Sequence, residues 1–145
     1  MTHPQTSQTT ARTEARAGAG MARVWLVLGA LGGLLSVALG AFGAHALRDH
    51  LAEGLIATWE TATTYLGMHA IALLVCGLLA LQRPGLGLIG AAAWTFLVGT
   101  LVFSGSLLAL VLTGARAWGA VTPFGGVALL LAWGLLAVGA WRGLR

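Results

Sequence analysis

The chain has 145 residues, of which 58% are apolar and only 8% charged, against about 25% charged in an ordinary soluble protein. Its eight basic residues are all arginine, it has one cysteine, and its formal net charge is +4. This balance excludes a soluble globular enzyme, a disordered polypeptide and a disulfide-stapled scaffold; the arginines are scattered singly rather than clustered on one face, which excludes a nucleic-acid-binding module.

Residues 1–20 are polar, rich in Thr, Ala and Arg, and are expected to form a disordered tail ahead of one transmembrane domain over residues 21–145. Four uncharged blocks follow. They hold 24 residues between Arg23 and Arg48, 22 between Glu60 and Arg83, 32 between Arg83 and Arg116, and 25 between Arg116 and Arg142. Crossing ~30 Å of hydrocarbon takes about 20 apolar residues as a helix, so each block crosses once and none crosses twice. Helix is the default because lipid offers the backbone no hydrogen bonds. The predicted spans are Val24–Leu47, Thr61–Gln82, Leu88–Thr113 and Pro123–Trp141. Gln82-Arg83-Pro84-Gly85 reads as a tight turn. Thr122-Pro123 reads as an N-cap followed by proline at the first helical position, with Gly114–Val121 as an interfacial loop before it.

Arginine sets the orientation. Arg12, Arg16, Arg23, Arg83, Arg142 and Arg145 fall on one side, while only Arg48 and Arg116 fall on the other, together with Asp49, Glu53 and Glu60. The positive-inside rule places both termini in the cytoplasm. Helices in lipid associate through small residues. The first span carries a ladder of Gly32, Ser36, Gly40 and Ala44, widened by Gly29, Gly33 and Gly43. The third carries Ala91, Thr95, Gly99, Gly105 and Ala109, and the fourth Ala128 and Ala132. A faint repeat pairs Phe42-Gly43-Ala44 with Phe103-Ser104-Gly105, and Thr63–Gly67 with Thr122–Gly126. It would make the fold two parallel helical hairpins.

Polar residues inside spans are costly and are often functional. At ~1.5 Å per residue, His45, Tyr65, His69, Ser104, Ser106 and Thr122 all fall in the outer half and are the candidate polar layer. His69 matches the two serines in depth, so a neutral imidazole bonded to a serine is the structural expectation. His45 and His69 are separated by about 9 Å along the axis, which argues against a shared metal or haem. No carboxylate lies inside a span, which argues against a proton-coupled exporter, and no acid stands near enough to complete a Ser–His hydrolase. No cofactor or metal is expected.

Gly40-Ala41-Phe42-Gly43-Ala44-His45, Tyr65 with His69, Phe103-Ser104-Gly105-Ser106-Leu107 and Thr122-Pro123-Phe124-Gly125-Gly126 occur in that order. With Trp133 they resemble the YgdD-like family of small four-helix membrane proteins over residues 21–142. Two positions depart from that family's pattern, Leu66 where Gln is common and Leu108 where Tyr is common. The resemblance implies four spans and a bacterial inner-membrane location, and it carries no biochemical activity.

The sequence therefore reads as an all-α, four-span bundle. Its expected role is non-enzymatic binding of membrane lipid, or of another copy or another membrane protein through the small-residue faces. A small transporter or channel subunit with a polar vestibule is the first alternative, and a metal- or haem-binding redox subunit using His45 and His69 is the second.

Overall fold

A computed structural model describes residues 4–83, 85 and 87–143, with side chains from residue 18 onward. Helix α1 runs Pro4–Phe42 and continues as one wide π-helical segment, Gly43–Leu47. Helices α2 (Glu53–Gln82), α3 (Gly87–Thr113) and α4 (Ala117–Gly143) follow, with no strand among the described residues. All four contain stretches long and apolar enough to span a membrane, of 27 to 30 residues each. At 1.5 Å per residue these are about 40 Å long, so their ends reach into the headgroup layers on both sides.

The helix ends refine the sequence reading. Helix α1 is helical from Pro4, where a disordered tail was expected over residues 1–20; residues 1–3 lie outside the described residues. The alanines and arginines of that segment are good helix formers, and extending an existing helix avoids the cost of nucleating one. Helix α2 begins eight residues before Thr61, at Glu53, because Glu53 and Glu60 end the apolar run without ending the helix. Helix α4 begins at Ala117, which leaves Pro123 inside it. The Thr122-Pro123 pair is thus no N-cap. Thr122 turns its hydroxyl back to the Trp118 carbonyl, 3.3 Å away, and across to Ser106. Pro123 is the seventh residue of α4, past the four unpaired N–H groups of its start, so it removes one ladder bond, the one to the Gly119 carbonyl.

The first two helices form an antiparallel hairpin, and so do the last two. Small residues set both contacts. A Cβ on Gly29 would meet the Ala70 carbonyl oxygen at 2.9 Å, and one on Gly67 would meet Ser36 Oγ at 2.6 Å. Ser36 donates to the Thr63 carbonyl at 2.8 Å, a bond from α1 to α2. Between α3 and α4 the close approaches are Gly99 with Ala128 and Leu129, Gly125 with Phe103, and Gly139 with Ile89. Helices α2 and α3 join the hairpins and form the buried centre, with Phe96, Ile89 and Cys76 fully enclosed. The ladder on α1 therefore splits. Gly29, Gly32, Ser36 and Gly43 face α2, whereas Gly33 and Gly40 meet nothing within 4 Å.

The π segment has a local cause. Trp59 lies against Gly43, and its Nε1–H donates to the Leu39 carbonyl at 2.8 Å. A Cβ on Gly43 would stand 2.5 Å from both Cδ1 and Nε1 of that indole. Gly43→Ala is expected to lose the Trp59–Leu39 bond and about 1–3 kcal/mol of stability. Thermal unfolding in detergent reads the loss, and a simultaneous red shift of tryptophan emission reports the displaced ring.

Candidate functional site

Helix α2 carries Tyr65 and His69 one turn apart, so both face the same way. His69 is 3% exposed. Its Nε2 accepts a hydrogen bond from Trp133 Nε1 on α4 at 3.3 Å. An indole nitrogen only donates, so Nε2 carries no proton. The proton sits on Nδ1, which donates to the Tyr65 carbonyl at 2.7 Å. Both ring nitrogens are thus engaged and the imidazole is held neutral in one tautomer.

Aromatic rings surround it. Phe96 on α3 stands edge-on to Trp133 at 5.1 Å, and His69 lies 5.7 Å from Phe96. Toward the outer side, Tyr65 stacks on Phe103 at 4.5 Å. Edge-to-face and offset pairs of this kind stabilise beyond simple contact. The cluster ties α2, α3 and α4 together at the level where the hairpins meet.

The six residues of the candidate polar layer do not form one site. His69, Ser104 and Ser106 are buried, at 3%, 2% and 4% exposure. The expected His69–serine bond is absent, because Trp133 and the Tyr65 carbonyl take both nitrogens. Ser106 shares a 2.8 Å bond with Thr122 and donates to the Phe103 carbonyl, which pins α3 to α4. Ser104 Oγ is buried and has no partner. His45 is exposed in the π segment at the outer end, away from His69. Among the described residues no three His, Cys, Asp or Glu side chains converge. Trp133 is the residue that sequence reasoning missed as a partner. The signal was present: an indole N–H at hydrocarbon depth needs an acceptor, and counting from Pro123 puts Trp133 ~15 Å deep against ~12 Å for His69.

A polar concavity of about 400 Å³ opens at the outer end beside Arg48, Glu53 and Glu60, and an apolar one lies deeper. It is a groove of about 200 Å³ on the surface of α2, walled by α1 and α3. Leu28, Leu31 and Leu35 line one wall, Leu97 and Leu101 the other, and His69 and Thr100 add its few polar atoms. From Leu28 to Leu35 it runs ~10 Å along α1, from near the arginine-rich end toward mid-membrane. Another concavity, between α2 and α4, opens beside Tyr65, Met68 and Trp133.

Four apolar helices, neutral buried polar groups and a lateral groove define a multi-pass membrane protein. A profile described as "Protein of unknown function (DUF423)" matches residues 39–126. The chain is 40% identical over 118 residues to the UPF0382 membrane protein YwdK of Bacillus subtilis (strain 168), covering 81% of this chain and 96% of the relative. It is 42% identical over 116 residues to a UPF0382 membrane protein of Staphylococcus epidermidis, covering 80% and 93%. The chain belongs to this DUF423, or UPF0382, family of membrane proteins of unknown function. No solved structure matches it.

Proposed function

We propose that the protein is a non-enzymatic bundle that binds membrane lipid, holding an acyl chain in the groove between α1 and α3. The groove carries this reading. Its lining is almost wholly apolar, and a dry apolar cleft in contact with hydrocarbon is filled by hydrocarbon rather than by water. The polar group at its floor, His69, offers neither a free donor nor a free acceptor, so the ring presents a surface and no reactive atom. That absence of a poised nucleophile or base supports a binding role over catalysis. Within the family, the ordered motifs from Gly40 to Gly126 together with Trp133 support placement among the YgdD-like proteins. Gly33, Gly40 and Gly105, left open by the fold, favour a second reading in which a helix of another copy docks on them.

The test is lipid retention. The protein purified in mild detergent is expected to keep about one phospholipid per chain in native mass spectra. Leu35→Trp, which fills the groove from α1, is expected to remove it while the fold persists. Equal retention by wild type and variant would reject acyl binding at this place.

A further inference from the structure

We infer that the arginine-rich end of the α1–α3 seam is a phosphate site that takes the headgroup phosphodiester of a phospholipid, an inference that rests on the acyl-chain reading of the adjoining groove. A cavity of about 200 Å³ lies there, walled by Met21 and Trp25 of α1, Ala80 and Arg83 of α2, and Gly87 and Gly90 of α3. Three sources of donors stand in or beside its wall.

The first is Trp25. It is 5% exposed, its ring forms part of the cavity wall, and its buried Nε1–H has no hydrogen-bond partner among the described residues. A buried donor without an acceptor is rare and costly. The indoles of Trp59 and Trp133 both reach acceptors within the protein. Trp25 is the one of these three that has no acceptor among the described residues.

The second is the start of α3. The first-turn N–H groups of a helix have no intrahelical partners, and the macrodipole makes that end positive. No acidic residue stands in this first turn to neutralise it. Gly87 and Gly90 keep the approach clear. A Cβ at Gly87 would meet nothing within 4 Å, and one at Gly90 would press on the Trp25 ring at 3.2 Å. The third is Arg83. Its guanidinium bonds the Gly143 carbonyl through one nitrogen, which fixes it in place and leaves further donors to present.

Donors without carboxylates recognise an anion with several acceptor oxygens. Asp49, Glu53 and Glu60, the acids with described side chains, all lie toward the opposite end. The anion is assigned to a lipid because the cavity and the groove share one face of α1. Met21, Trp25, Leu28, Gly32 and Leu35 follow one another at helical spacing. Trp25 to Leu35 is ~15 Å, half of a ~30 Å hydrocarbon core. One phospholipid of the arginine-rich leaflet thus spans the seam, with its phosphate at Trp25 and a chain reaching Leu35. The positive-inside rule makes that leaflet the cytoplasmic one.

The experiment uses the full chain in phospholipid-free detergent, unfolded thermally with far-UV circular dichroism as the readout. It is titrated separately with phosphatidylglycerol, with diacylglycerol of the same chains, and with inorganic phosphate. Wild type is expected to gain more from phosphatidylglycerol than from diacylglycerol. Trp25→Phe and Arg83→Gln are each expected to weaken phosphatidylglycerol half-saturation about tenfold, the loss of one charge-assisted hydrogen bond, and to leave the diacylglycerol response unchanged. Without lipid, Trp25→Phe is expected to melt lower than wild type, since it removes packed ring carbons of the core along with the unmet donor, so each lipid response is read from the variant's own lipid-free baseline. Equal phosphatidylglycerol curves for wild type and both variants overturn the phosphate site. In that case a diacylglycerol response abolished by Leu35→Trp still upholds the groove. Phosphatidylglycerol and diacylglycerol curves unmoved by Leu35→Trp overturn the groove reading and the lipid assignment with it. Protection by inorganic phosphate alone equal to that by phosphatidylglycerol makes the site one for free phosphate and also overturns that assignment.

Discussion

Gly125→Ala is expected to destabilise the protein by about 2–3 kcal/mol, more than any other single added methyl among the described helical glycines. A Cβ at this position would stand 2.7 Å from Phe103 Cα and 2.8 Å from Phe103 Cβ, and closer still to the Phe103 nitrogen. Two of those atoms are backbone in the middle of α3, so no rotamer change relieves the contact. The helices must move apart, and that motion reaches the neighbouring Ser106–Thr122 bond and the Tyr65–Phe103 stack. Gly33→Ala and Gly40→Ala are the controls. Both positions face open space, and alanine gains up to about 1 kcal/mol of helix propensity over glycine. Their melting temperatures in detergent are expected to equal or exceed wild type. Phe103→Ala should fail to rescue Gly125→Ala, because the offending backbone atoms remain. A Gly125→Ala protein as stable as the Gly33→Ala protein would mean that α3 and α4 do not touch backbone to backbone there.

The same glycines show how far the sequence could be read. Small residues at helical spacing marked α1, α3 and α4 as packing elements, and the charge gaps placed all four spans. Nothing in the spacing separates Gly32 from Gly33, since in lipid both a packed and an open glycine are tolerated. The partner helix decides, and for Gly32 it is Ala70 of α2. Helix starts failed for a related reason. Polarity marks where hydrocarbon ends, but α2 and α4 begin one or two turns outside it, at Glu53 and Ala117. The polar layer was legible in depth and illegible in pairing. Depth grouped His69 with Ser104 and Ser106, whereas rotation about each helix axis gave His69 to Trp133 and Ser106 to Thr122. The groove had no sequence signal, because leucines that line a cleft and leucines that face lipid are the same residue in the same solvent.

Removing the His69 imidazole is expected to cost about 2–4 kcal/mol in His69→Ala, from a cavity beside Phe96 combined with an orphaned Trp133 donor. His45→Ala, at an exposed position, should stay within about 0.5 kcal/mol of wild type. The packing and hydrogen-bond parts separate in a double-mutant cycle built from His69→Phe and Trp133→Phe, which keep an aromatic ring at each position while removing the acceptor or the donor. Each single change strands one partner at hydrocarbon depth, and the double change strands neither. The two losses should therefore fall short of additivity, by about 0.6–1.7 kcal/mol, the range found for hydrogen bonds between membrane helices. Strict additivity would assign the cluster to ring packing alone and remove Trp133 from the pairing. The pairing is also separable from lipid binding. His69 walls the groove on one side and bonds Trp133 on the other, so a freed Nε2 faces the concavity between α2 and α4, away from the place proposed for the acyl chain. Trp133→Phe should consequently leave lipid retention in the α1–α3 groove unchanged, because Phe96 and the groove lining remain in place.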